Sequence, residues 1–166
     1  MNAIVAESLA SAHNLGARLA WSYGRISPLF PVRPEAIAGL NEEAVERIDA
    51  FLFRFNSLFS MIQDHLFKGI AALEMEDISD KSNKDKSNLM EKLGAIQSAT
   101  GFTTMAELRN KLAHHYPFEA KKQAERLNAA WQRCPELIAI LNGLIAYVAA
   151  KKLVAGLLPL PAIPLK

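Results

Sequence analysis

One short segment, residues 107–117, gathers side chains that can transfer protons and bind anions. It reads Glu-Leu-Arg-Asn-Lys-Leu-Ala-His-His-Tyr-Pro, and its groups of greatest chemical interest are Arg109 and His114. Imidazole has an unperturbed pKa of about 6.5, so it exchanges protons near neutral pH. Guanidinium stays charged and presents a planar fork to two oxygens of a phosphate. A proton carrier and an anion-binding cation therefore lie close together in the sequence.

Helical spacing divides these side chains among faces, because each residue turns an α-helix by about 100°. Leu108, Leu112 and His115 cluster on one face, which predicts a core face and a packed, structural role for His115. Asn110 and His114, four residues apart, share a second face. Spacing alone leaves His114 open between a functional histidine and a surface histidine at a helix C-terminus, where positive charge is favourable.

The composition of the whole chain favours an all-α protein. Among 166 residues there are 26 Ala and 22 Leu, both strong helix formers, but only eight Val and Thr together. The high apolar content and the formal net charge of +2 exclude disorder over most of the length. Cys134 is the only cysteine, so the chain has neither an internal disulfide nor a cysteine pair for zinc.

The clearest periodicity begins at Asn41, which is predicted to cap a helix of about eight turns with Glu42 and Glu43 at its positive end. His65 continues the spacing of Phe51 and Leu58 at steps of seven, so it is predicted to be structural. Apolar residues step by three and four along the helix, which indicates its core face: Val45, Ile48, Leu52, Phe55, Phe59, Ile62, Leu66, Gly69 and Leu73.

The other elements follow from breaks in this pattern. Pro28, Pro31 and Pro34 predict an extended connector, and the polar residues 79–88 predict a solvated loop. The remaining helices are expected over residues 2–22, 89–99, 104–115, 119–132 and 135–155.

Charge and hydropathy bound the partners and the compartment. Residues 35–80 carry a net charge of −7 and residues 81–133 a net charge of +5. The positive region is suited to an anionic ligand such as RNA, although ordinary solvated helix faces would give the same count. Glu7 interrupts the N-terminal apolar stretch, and the apolar run 137–150 is too short to cross a bilayer. We therefore expect a cytoplasmic protein that does not bind membranes.

The segment Arg109-Asn110-x-x-x-His114-x-Tyr116 resembles the RNase motif of the HEPN superfamily, and more closely that of HepT-like toxins paired with a nucleotidyltransferase antitoxin. The stretches FRFNSLFSMIQDHLFKGI and DKSNLMEKLGAI extend the resemblance over roughly residues 45–147. It implies an antiparallel bundle of four to five core helices over residues 41–155. Residues 1–40 would add an N-terminal helix and a proline-rich connector. The apolar, proline-rich tail 156–166 would either pack on the body or bind a partner.

The resemblance also implies an activity, namely metal-independent cleavage of RNA by an endoribonuclease toxin that needs no cofactor. In that reaction the 2′-hydroxyl attacks the adjacent phosphate and leaves a 2′,3′-cyclic phosphate and a 5′-hydroxyl. His114 would transfer the proton, and Arg109 would stabilise the charge that develops on the phosphorane.

Helix geometry separates these two residues. Arg109 and His114 lie about 140° apart around an ideal helix and so do not share a face. A cleft between two protomers related by a two-fold axis would gather two arginines and two histidines around one phosphate. We therefore expect a homodimer with a composite site, as the resemblance to HEPN RNases also implies.

Three further residues are candidates for supporting roles. Asn110 would bind the phosphate or hold His114, or it is an ordinary surface residue. Asp64, in the middle of the long helix, would orient an imidazole or pair with Arg109, or it is simply solvated. In the HepT-like branch the tyrosine at the position of Tyr116 is adenylylated by the antitoxin, and the alternative is an amphipathic tyrosine that closes the helix.

Two other functions remain open at this point. One is a non-catalytic HEPN subunit that binds a nucleotide or holds a nucleotidyltransferase partner. The other is a helical interaction module that uses its apolar tail. The intact Arg109 and His114 favour the nuclease, since a scaffold needs neither.

Overall fold

The structure, a computed structural model, describes residues 1–113 and 119–165 and is helical over 76% of the chain, with no strand in those ranges. The predicted all-α class is therefore confirmed. The α-helices are α1 (Asn2–Ile26), α2 (Glu42–Met61), α3 (Phe67–Leu73), α4 (Asn83–Leu93), α5 (Ala99–Leu112) and α6 (Ala120–Ala150).

Helix α1 is longer than the predicted 2–22 and lies along α2 and α6. It continues to Ile26 because Ser22 and Ile26 extend its buried stripe, and Pro28 then prevents further helix. The stripe repeats at steps of three and four: Val5, Leu9, Ala12, Gly16, Leu19, Ser22 and Ile26. Two 3₁₀ turns, Ser27–Leu29 and Pro34–Gly39, replace the extended connector that was predicted, since the fixed φ of proline is also suited to the first turn of a helix.

The long helix predicted from residue 41 is present but contains a π-helical turn. Asn41 caps it as predicted, with its Oδ1 accepting a hydrogen bond of 2.8 Å from the Ala44 amide. Between α2 and α3, residues Ile62–Leu66 form the π turn, in which one extra residue enters the helix. The prediction that His65 is structural is wrong, because the π turn shifts the register and leaves this residue exposed.

Helix α4 corrects the prediction of a solvated loop over residues 79–88. Ser82 accepts a hydrogen bond of 3.1 Å from the Asp85 amide and donates one of 2.8 Å to the Asp85 carboxylate, so the helix begins at Asn83. This capping box was present in the sequence, but the polar composition concealed it. The helix ends at Leu93, before the predicted 99, because Gly94 adopts a left-handed conformation with φ of 83°.

Helix α5 begins at Ala99, five residues before the predicted 104. Ser98 caps it by accepting a hydrogen bond of 3.0 Å from the Gly101 amide. Gly101 lies in the first turn of α5, where a Cβ would approach Glu136 Oε1 to 2.6 Å.

Helix α6 is one continuous element where two helices, 119–132 and 135–155, were predicted. Pro135 lies inside it and removes one backbone donor, yet the buried residues Ala130, Cys134 and Leu137 on either side hold the helix together by packing. By length and composition α6 is the one helix in the described ranges that could cross a bilayer, which is weak evidence because core helices share both properties.

Two asparagines on α6 hold the connector between α1 and α2 and the C-terminal tail in place. Asn128 bonds both the amide and the carbonyl of Val32 in the connector, at 2.7 and 2.9 Å. Asn142 does the same for Ile163 in the tail, at 2.9 and 3.0 Å. Of the two states expected for the tail, it therefore adopts the packed one. One hydrophobic core cluster contains side chains from all six helices and from Ile163 of the tail.

A polar cluster joins the end of α3 to the end of α6. The Glu74 carboxylate accepts hydrogen bonds of 2.6 Å from both Tyr147 and Lys151, and Lys151 Nζ lies 3.1 Å from Tyr147 Oη. Hydrogen bonding from Lys151 and Tyr147 holds the pKa of the Glu74 carboxyl below its ordinary 4.5. Burial and the bond to Glu74 raise the pKa of Tyr147.

This cluster predicts a pH-dependent contribution to stability. A carboxyl whose pKa is lower in the folded chain stabilises above its unfolded pKa and loses that contribution as the pH falls through the folded pKa. The Glu74→Gln substitution should therefore lower the free energy of unfolding most at neutral pH, with a difference that shrinks below pH 4.5. Urea unfolding across this range measures it, with Glu76→Gln as the exposed control. Equal pH profiles for the two variants would contradict the assignment.

Candidate functional site

Arg109 is held against α2 by contacts that fix its guanidinium. Its Nη1 donates a hydrogen bond of 3.1 Å to Ser60 Oγ, and its Nη2 donates one of 3.3 Å to Asn110 Oδ1. The guanidinium carbon lies 5.0 Å from the centroid of the Phe59 ring. Two of the five N–H groups are thus used on described residues, which leaves three that could bind an anion.

The ring beneath Arg109 is itself fixed. Phe59 is fully buried and stacks on Phe102 of α5 at 4.6 Å between centroids, with an interplanar angle of 13°. Phe67 also packs on Phe102, and the centroids of these two rings are 4.8 Å apart. Because these rings belong to the core, the position of the guanidinium follows from how α5 packs on α2 and α3.

Asn110 and Asp64 occupy different positions relative to Arg109. Asn110 is exposed, and its carbonyl oxygen accepts the bond from Arg109, so its amide group lies beside the cation. Asp64 is exposed on the π turn, and its carboxylate accepts a long hydrogen bond of 3.4 Å from the buried Gln63 side chain. No ion pair joins Asp64 to Arg109. The structure thus brings Asn110 to Arg109 but not Asp64.

His114, His115 and Tyr116 lie outside the described residues, so their predicted roles stay predictions. The regular part of α5 ends at Leu112, and Ala113 follows as its C-terminal cap. The predicted separation of about 140° between Arg109 and His114 also stays a prediction, because it depends on the position of residue 114. The predicted core face is present in the part of α5 that is described, since Leu108 is buried and Leu112 partly so.

Asn56 is a residue that sequence reasoning missed. Its side-chain Oδ1 is buried without a hydrogen-bond partner, and it lies one turn before Ser60 on α2. A buried polar atom without a partner requires an explanation, and functional sites are where such atoms are tolerated. The only signal in the sequence was a polar amide between the core phenylalanines Phe55 and Phe59.

A charged groove of about 520 Å³ lies on the α6 side of α5. Its basic side chains outnumber its acidic ones by four to two, which places part of the positive region predicted from the sequence beside the motif helix. The charged residues that line it are Lys111, Lys122, Arg126, Arg133, Glu107 and Glu125.

Other candidate chemistries find little support in the described residues. No group of three or more His, Cys, Asp or Glu side chains within residues 1–113 and 119–165 could hold a metal ion. Burial raises the pKa of the Cys134 thiol to about 12, so this group is not a nucleophile near neutral pH.

Comparison with known proteins gives no match: no family model, curated protein or solved structure is significantly similar to this chain.

The unpartnered carbonyl of Asn56 leads to a stability prediction. Leucine has nearly the same shape and no acceptor, so Asn56→Leu should raise the free energy of unfolding by about 1 kcal/mol or more. Urea unfolding measures it, and Asn14→Leu, at an exposed position of α1, controls for the higher helix propensity of leucine. A loss of stability would show that the amide makes a bond in solution.

Proposed function

We propose that this protein is a metal-independent endoribonuclease of the HEPN type, a toxin of a toxin–antitoxin pair that acts in the cytoplasm. Two features support the proposal. The segment from Arg109 to Tyr116 carries the Arg, Asn, His and Tyr spacing of the HEPN motif. The body that carries it is an all-helical bundle, which is the class that the resemblance implies.

The observation that carries the proposal is the fixed guanidinium of Arg109. A cation that stabilises a transition state is most effective when it is already oriented, because no reorganisation is needed as charge develops. Ser60, Asn110 and the Phe59 ring orient Arg109 and leave part of its donor fork available. A surface arginine that served solubility alone would not need three such contacts.

The proposed chemistry assigns one role to each group. The imidazole of His114 takes the proton of the ribose 2′-hydroxyl, and the 2′-oxygen attacks the adjacent phosphorus. Arg109 neutralises the charge on the phosphorane oxygens. The bond to the 5′-oxygen then breaks, and that oxygen leaves protonated, with an acid such as the second histidine of a dimer supplying the proton.

The proposed assembly is a homodimer whose two-fold axis passes near the motif, so that both protomers contribute to one site. RNA is the substrate, and a nucleotidyltransferase is the antitoxin. Adenylylation of Tyr116 would add bulk and negative charge near the arginine, and the product would compete with the RNA phosphate for it.

The enzyme proposal predicts loss of cleavage on removal of either group. Arg109→Ala and His114→Ala should each lower RNA cleavage by about 100-fold or more, since positioned acid–base and electrostatic groups contribute at least that much. Cleavage by the wild type should persist in EDTA, and a substrate with 2′-deoxyribose at the cut position should remain intact. Cleavage of a labelled oligoribonucleotide measures all three.

Matched controls separate catalysis from folding. His65→Ala removes an exposed histidine on the π turn and Arg33→Ala an exposed arginine of the connector, and both variants should cleave like the wild type. If the wild type leaves RNA intact while it binds a nucleotide or a nucleotidyltransferase, the chain is a non-catalytic HEPN subunit instead.

The composite site predicts complementation between two inactive variants. When Arg109→Ala and His114→Ala chains are co-expressed, random pairing makes about half of the dimers mixed, each with one intact arginine and one intact histidine. Those dimers should cleave RNA faster than either parent, although more slowly than the wild type, because only one histidine remains and water must supply the proton to the leaving 5′-oxygen. A site contained within one protomer would give no recovery, and that result would exclude the shared site while leaving the nuclease assignment to the single-variant assays.

A further inference from the structure

An exposed tryptophan lies among arginines on the outer surface of α1 and α2. Trp21 is 61% exposed, although large aromatic side chains are usually buried. The guanidinium carbon of Arg25 lies 4.9 Å from the centroid of its ring, and that of Arg54 lies 5.8 Å away. No other helix covers this surface in the described ranges. We call Trp21, Arg25 and Arg54 the Trp21 surface.

Arg54 is oriented by contacts on its inner side. Its Nη1 donates hydrogen bonds of 2.7 Å to Ser22 Oγ and 3.2 Å to the Arg18 carbonyl oxygen. Ser22 is only 3% exposed, so the anchor belongs to the buried interface between α1 and α2. Both N–H groups of Nη1 are used, and the Nε and Nη2 donors remain available for an oxygen ligand.

The local charge is positive. Arg18, Trp21 and Arg25 share one face of α1 at spacings of three and four. Glu46 is the acidic residue that lines the shallow cavity of about 200 Å³ beside the tryptophan. Arg47 lines the same cavity, but its charge is paired with that of Glu43. An indole ring with two guanidinium groups beside it, of which that of Arg54 is held by hydrogen bonds, therefore faces solvent with a net positive charge.

From this arrangement we infer that the Trp21 surface binds single-stranded nucleic acid, with a base stacked on the indole in place of the Arg25 guanidinium and the flanking phosphates on Arg25 and Arg54. Aromatic rings that stack bases beside cations that hold the backbone are the general means of binding single strands. Binding follows from the surface alone. The claim that the natural strand is RNA rests on the proposed function.

Other occupants fit this surface less well. A second copy of the chain would set Arg18, Arg25 and Arg54 against the same arginines across a two-fold axis, and like charges in contact are unfavourable. An acidic peptide would satisfy the arginines but has no need of the exposed indole beside them. A membrane needs a continuous apolar face, whereas the arginines and Glu46 surround the tryptophan here.

The experiment uses the full chain and a labelled oligothymidylate of about twelve nucleotides, which is within the range of known single-strand sites. DNA lacks the 2′-hydroxyl, so binding is measured without cleavage. By fluorescence anisotropy, Trp21→Ala should weaken binding about 5- to 100-fold, while Trp21→Phe retains most of the affinity. Arg25→Ala should reduce the slope of log K against log salt concentration by about 0.7.

Controls make each outcome decisive. Arg33→Ala removes an exposed arginine that is not part of this surface, and it should leave the affinity for oligothymidylate unchanged. Ser22→Ala keeps the Arg54 side chain but removes one of the two hydrogen bonds that orient it. This variant should bind more weakly, and circular dichroism should show that it is folded. Equal affinity of wild type and Trp21→Ala would overturn the inference. Tighter binding to polyglutamate, or to vesicles of phosphatidylcholine and phosphatidylserine, than to oligothymidylate would also overturn it in favour of an acidic peptide or a membrane.

The result is separable from that of the nuclease test. A chain that binds oligothymidylate through Trp21 but leaves RNA intact contradicts the proposed function alone. A chain that cleaves RNA and binds oligothymidylate without any effect of Trp21→Ala contradicts the present inference alone.

Discussion

The packing of α5 against the aromatic face of α2 and α3 is the constraint on which the candidate site depends. Phe59, Phe67 and Phe102 are fully buried, and Phe59 and Phe67 both pack on Phe102, so their large apolar surfaces hold this interface together. Arg109 lies over Phe59 and bonds Ser60, so its position is set by core packing rather than by its own flexible chain. A cation whose position is fixed in this way is suited to stabilising charge at a defined point.

The π turn explains why the two halves of the long helix present different faces. An inserted residue rotates the helix beyond it, so Leu66 and Phe67 remain in the core while Asp64 and His65 are directed to solvent. Such turns recur at functional sites because the insertion exposes polar residues within an otherwise regular helix. Asp64, on this turn, forms no ion pair with Arg109, and the neighbour of the cation is Asn110 instead.

Local signals in the sequence were sufficient for the class, the Asn41 cap and most of the core stripe of α2, because these depend on residues within a few positions of one another. The π turn was not predictable, since apolar residues at steps of three and four fit a regular helix equally well. The continuity of α6 through Pro135 depends on packing with distant elements, and propensity favoured two helices. For the same reason Ser60 could not be recognised as the partner of Arg109, from which it is 49 residues away.

The Trp21 surface and the guanidinium of Arg109 lie at different positions around α2. A nucleic-acid strand would therefore be bound at one position and cleaved at another. Arg54 and Ser60 are six residues apart, which corresponds to about 9 Å along the helix axis and about 120° around it. One phosphate therefore cannot reach both the Trp21 surface and the guanidinium of Arg109. A strand held at Trp21 would have to pass around α2, or onto a partner protomer, before it reached the motif. Affinity for the strand and the rate of its cleavage would then respond to different side chains, because the contacts that hold the strand are not those that stabilise its transition state.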